Sequence, residues 1–131
     1  MAAPKADPAS VVLVVDDEPM LLRLMERALA EAGCRVQGAS SGLRALELVS
    51  SLPYPPDLLV TDLRMDRLNG VDLARLVTAK HPHTPVLLVS GYDPDHTEPA
   101  WPFLRKPFAL EALVHAVEQL LPGSRRLELS E

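Results

Sequence analysis

Three short, nearly unbroken apolar runs, set apart by stretches of helical periodicity, constrain the fold of this chain more than anything else. The runs are Val11–Val15, residues 57–61 and residues 86–89. A strand with one wet face alternates polar and apolar residues, whereas a run without alternation is covered on both faces. Residues 34–39 and 102–106 are weaker strand candidates. Between them, Leu21, Leu24, Met25, Ala28, Leu29 and Ala32 share one helical face, and Gly33 supplies the stop. Residues 43–49 and 71–80 continue the helical theme. Leu110, Leu113, Val114, Val117 and Leu121 form the last helix, stopped by Pro122 and Gly123. Strands alternating with helices imply crossovers and an open, doubly wound α/β fold around a five-stranded parallel sheet.

In such a sheet the functional crevice lies outside the carboxyl ends of the strands. The first apolar run there meets Asp16, Asp17 and Glu18, the third strand ends at Asp62, the fourth at Ser90 and the fifth at Lys106. Carboxylates gathered at one edge repel, and burial raises their pKa values further, so a cation is needed. A hard divalent ion with oxygen ligands meets that need, and an open site that keeps waters favours Mg²⁺. Lys106 adds an ammonium and Ser90 a hydroxyl. Metal, ammonium and hydroxyl around a carboxylate make a phosphoryl-transfer site with Asp62 as nucleophile.

Each residue also has a plainer reading. Asp16–Glu18 could cap the first helix, with Pro19 in its first turn. Asp62 could be a turn residue, Lys106-Pro107 a turn, and Ser90-Gly91 the start of a loop. Their joint placement at one sheet edge is what favours a site. His81 and His83 read as a solvated helix end, Trp101 as packing against the sheet edge, and Cys34 as a buried thiol.

Composition narrows the partners. The chain has 131 residues, a formal charge of −5 and a single cysteine. The acidic balance argues against nucleic acid as a partner of this domain. A lone cysteine suits a reducing, cytoplasmic setting. No apolar run approaches the roughly 20 residues that span a bilayer. Residues 1–10 read as a flexible N-terminal segment, 11–121 as one domain and 122–131 as a polar tail.

The segments "VVDDEP", "LLVTDLRM" with Gly70 beyond it, "LLVSGY" and "FLRKPF" resemble, in order and spacing, the receiver domain of two-component response regulators. The resemblance covers nearly the whole chain. It implies the flavodoxin-like strand order 2-1-3-4-5, with Asp62 as phosphoacceptor and a histidine kinase or phosphotransfer protein as phosphodonor. It further implies that Asp17 binds Mg²⁺ directly, Asp16 through water, and Arg64 through its backbone carbonyl. Ser90 and Phe103 match the hydroxyl and aromatic positions that move on phosphorylation. Lys106 matches the phosphate-binding lysine, and its bond to Pro107 is expected to be cis. Arg64 and Tyr92 match positions that flank the phosphoryl group.

Two departures stand out. Asp66 replaces a common proline, and residues 90–101, with Pro94 and Pro99, leave room for only one or two helical turns between strands four and five. The fourth helix of the family is therefore expected to be shortened or missing. The signalling and dimer face built around it should be altered, which leaves the oligomeric state open. With no output segment after Leu121, the expectation is a single-domain regulator, a phosphate shuttle or a receiver cut from a larger kinase, and not an enzyme. The competing readings are a pseudo-receiver that binds partners without phosphorylation and an aspartyl-phosphate phosphatase.

Overall fold

The computed structural model of the protein describes residues 10–91 and 101–121. Five parallel strands form one sheet: β1 (Val11–Val15), β2 (Arg35–Ala39), β3 (Leu58–Asp62), β4 (Val86–Ser90) and β5 (Phe103–Arg105). Four helices are present among the described residues: α1 (Pro19–Glu31), α2 (Gly42–Ser51), α3 (Gly70–Lys80) and α4 (Leu110–Leu120). The strand order is β2-β1-β3-β4-β5, as expected from the resemblance. The expectations for Tyr92, for the shortened fourth helix in residues 92–100, for residues 1–9 and for the tail at 122–131 lie outside the described residues.

The two faces of the sheet explain the unbroken apolar runs. Val12, Val14, Leu58, Val60, Leu87 and Val89 point to one face, where α1 and α4 contribute Met25, Leu29, Leu113 and Val117. Leu13, Val15, Leu59, Val86 and Leu88 point to the other, against Ala45, Val49, Leu73 and Val77 of α2 and α3. Every residue of β1, β3 and β4 is buried. Successive side chains alternate faces, and here both faces are dry. Trp101 packs, partly buried, against the second cluster, and Cys34 is a buried free thiol.

Local chemistry sets the element ends. Gly33, at φ 103°, closes α1: its N–H donates to the Ala30 carbonyl and that of Cys34 to the Leu29 carbonyl. Ser41 caps α2 by accepting from the Arg44 N–H, and Asn69 caps α3 by accepting from the Asp72 N–H. Asp57 stands just before β3 instead of opening it. Its carboxylate accepts the Val11 N–H at 2.8 Å, which ties the start of β1 to the neighbouring strand.

Candidate functional site

The sheet carries its polar residues to one edge. Asp16 and Asp17 follow β1, Asp62 and Ser90 end β3 and β4, and Lys106 follows β5. Carboxylate oxygens of Asp16, Asp17 and Asp62 all lie within 4.8 Å of one another. Asp16 is fully buried and Asp62 nearly so, while Asp17 is exposed. The Lys106 ammonium sits 2.9 Å from Asp16 Oδ2 and 3.4 Å from Asp62 Oδ2. Ser90 is buried, and its carbonyl accepts the Lys106 N–H at 2.8 Å. The Lys106–Pro107 bond is cis, as the resemblance implies.

The helix-capping reading of the three acids is corrected in part. Glu18 occupies the N-cap position of α1 and Pro19 its first turn, but no side chain caps the helix. Asp16 Oδ1 instead accepts the Glu18 N–H at 2.9 Å. Asp16 is thus anchored through both oxygens, one to backbone and one to Lys106.

Burial disfavours the charged form of Asp62, and the neighbouring Asp16 charge adds to it. Lys106 opposes both without cancelling them, so the Asp62 pKa is raised. Burial also works against the Lys106 ammonium. The hydrogen bond to Asp16 and the charges of Asp16 and Asp62 outweigh that, and the Lys106 pKa is raised too. One ammonium faces three carboxylates, which leaves net negative charge at the site.

The donor set fits a hard divalent ion. All three candidate ligands are anionic oxygens, and the exposed Asp17 keeps one side open to water. Arg64 is exposed two residues beyond Asp62. Phe103 is half-buried on β5 against the cluster beneath α2 and α3.

Two residues escaped notice in the sequence. Thr61 is fully buried, and its hydroxyl donates to the Asp62 carbonyl at 3.0 Å. A lone hydroxyl residue inside the apolar run before Asp62 was the available signal. Arg105 donates to the Gly91 carbonyl and lies over the Phe103 ring, for which the sequence offers no local sign. Gly70, noted as part of the motif, proves to be a contact point. A Cβ there would collide with the Asp62 carbonyl, and the Gly70 N–H donates to the Leu63 carbonyl at 2.8 Å.

Comparison with known proteins agrees with this geometry. A family model described as "Response regulator receiver domain" matches residues 12–118. The chain is 34% identical over 119 residues to the sensor kinase CckA of Brucella abortus, covering 86% of this chain and 13% of that protein. It is 31% identical over 116 residues to the response regulator receiver protein CpdR of the same organism, covering 84% of this chain and 95% of that one. Among solved structures, a response regulator receiver protein from Sinorhizobium medicae matches with a TM-score of 0.78 and 34% identity, over 92% of this chain and 99% of that one. The chain thus spans a small part of the sensor kinase but nearly all of the receiver protein.

Proposed function

Because the chain belongs to the response regulator receiver domain family of two-component systems, we propose that it is a phosphoacceptor switch, phosphorylated on Asp62 by a histidine kinase or a histidine phosphotransfer protein. The observation that carries this reading is the convergence of Asp62 with Asp16, Asp17 and Lys106 at one sheet edge, with Lys106 within 3.4 Å of the Asp62 carboxylate.

A carboxylate oxygen of Asp62 attacks the phosphorus of a phosphohistidine. The new P–O bond forms as the P–N bond breaks, and the imidazole leaves. Burial destabilises the Asp62 carboxylate and sharpens it as a nucleophile, while Lys106 partly offsets that cost. Lys106 then holds a phosphoryl oxygen, and the Ser90 hydroxyl donates to another. Asp17, Asp62 and the Arg64 backbone carbonyl would hold Mg²⁺. Asp16, whose oxygens already accept from Glu18 and Lys106, would reach it through water. When bound, Mg²⁺ supplies the positive charge that the phosphoryl oxygens and three carboxylates otherwise lack. Movement of Ser90 and Phe103 passes the change to a partner surface.

In this reading residues 11–121 are the receiver domain, flanked by residues 1–10 and 122–131. It acts in the cytoplasm as a signalling module and not as an enzyme. Incubation with acetyl phosphate and Mg²⁺, followed by intact mass measurement, tests it. One added phosphoryl group, absent in Asp62→Asn, supports the switch. No addition points to a pseudo-receiver, and continuous phosphate release to a phosphatase.

A further inference from the structure

Arg105 ends β5 and pairs in register with Ser90, which ends β4. Its side chain is exposed, and two of its contacts bear on the switch residues. Nη1 donates to the Gly91 carbonyl at 3.2 Å, and Cζ lies 5.9 Å from the centroid of the Phe103 ring. Gly91 directly follows Ser90. Phe103 lies two residues before Arg105, on the same side of the strand. One guanidinium therefore grips both the backbone behind the Ser90 hydroxyl and the aromatic ring on the next strand.

We infer that Arg105 is a positioning residue that couples the Ser90–Gly91 backbone to the orientation of Phe103. The inference rests on the switch reading above and names the link between its two moving parts. A guanidinium is planar, with donors in a fixed fork. Displacing the Gly91 carbonyl turns that plane and changes how it lies on the ring. Among the described residues, no heavy atom lies within 4 Å of where a Cβ of Gly91 would stand. The Arg105 hydrogen bond is thus a side-chain hold on the Gly91 carbonyl, one residue beyond the Ser90 carbonyl that accepts the Lys106 N–H. At rest, Arg105 holds the Phe103 ring. When Ser90 shifts toward a phosphoryl group, that hold is released.

The sequence has two phenylalanines, Phe103 and Phe108, so labelling with 4-fluorophenylalanine gives two ¹⁹F resonances. A Phe108→Leu variant assigns them. In the full, unphosphorylated chain, Arg105→Met should shift the Phe103 resonance and leave that of Phe108 unmoved. Arg105→Lys, which keeps the charge without the fork, should restore part of the effect. Ser90→Ala should move the Phe103 resonance when Arg105 is present and leave it still in Arg105→Met. An unchanged Phe103 line in Arg105→Met, an equal shift of Phe108, or a Ser90→Ala effect that survives Arg105→Met overturns the coupling. The measurement uses no phosphodonor, so failure of Asp62 to accept a phosphoryl group would sink the switch reading while leaving this result readable.

Discussion

Lys106 is anchored more closely to Asp16 than to Asp62, at 2.9 Å against 3.4 Å. Asp16 is fully buried and its other oxygen is taken by the Glu18 N–H. It therefore works as a fixed post that aims the ammonium at the more accessible carboxylate.

Removing that ammonium should cost stability. Lys106→Met leaves three carboxylates facing one another and should lower the unfolding free energy by about 1–3 kcal/mol at pH 7. That is below the loss for a fully buried pair, because the lysine is partly wet. The folded-state pKa of Lys106 is raised. Its contribution is thus complete below the ordinary lysine range and fades as pH climbs through the folded value. Urea melts in chelator at pH 7 and pH 9 should show the same gap between wild type and variant. Equal stability of the two at pH 7 would mean that attraction merely offsets burial.

Asp62 has the same pH direction, but here it is the charged form that costs stability. Its folded pKa is raised, so its stabilising protonated form is complete below the unfolded value and is lost as pH rises through the folded one. Its charged form therefore costs stability. Asp62→Asn should raise the unfolding free energy by about 1 kcal/mol at pH 7 without metal, and the gain should vanish in acid. Thermal melts across that range decide it; a variant less stable at pH 7 would contradict the cause given for the shift.

Mg²⁺ should stabilise the folded chain through Asp17, the exposed member of the cluster. At ten times its dissociation constant, a ligand specific to the folded state adds about 1.4 kcal/mol. The melting temperature of the wild type should rise on titration, and that of Asp17→Asn should stay flat. A parallel rise in both would move the ion away from Asp17.

Arg67, in the loop after Asp62, has φ 67°, a left-handed conformation that side chains resist. Arg67→Gly should therefore stabilise the protein by about 0.5–1 kcal/mol, net of the added freedom of the unfolded chain. Arg67→Val, branched at Cβ, should destabilise it by about 1–2 kcal/mol. Chemical denaturation of the pair suffices, and a valine variant as stable as the glycine one would refute the strain.

Much of the fold is legible in the sequence. Val11–Val15 matches to the residue and the other strands to within one or two; for β1, β3 and β4 the reason is that doubly covered strands leave no alternation to blur their ends. Asp62 and Lys106 were legible as strand-end polar residues. Their approach through Asp16 was not, since Asp16 and Lys106 stand far apart in the chain and meet only through the sheet order. The left-handed Arg67 had no local mark, as arginine gives no turn signal. Arg105 had no local sign either, because its contacts run across strands and toward a backbone carbonyl.

The two outer strands differ sharply in what they offer a passing chain. β2 is five residues long and exposes Arg35 and Gln37, while β5 is three residues long and ends in the exposed Arg105. A foreign strand adding to either border would meet a charge on one side and almost no ladder on the other. The buried hydrophobic strands between them, β1, β3 and β4, are of the kind that seeds fibrils when bare. Here they are walled in by their own sheet, so none of the three presents a free border to a neighbouring molecule.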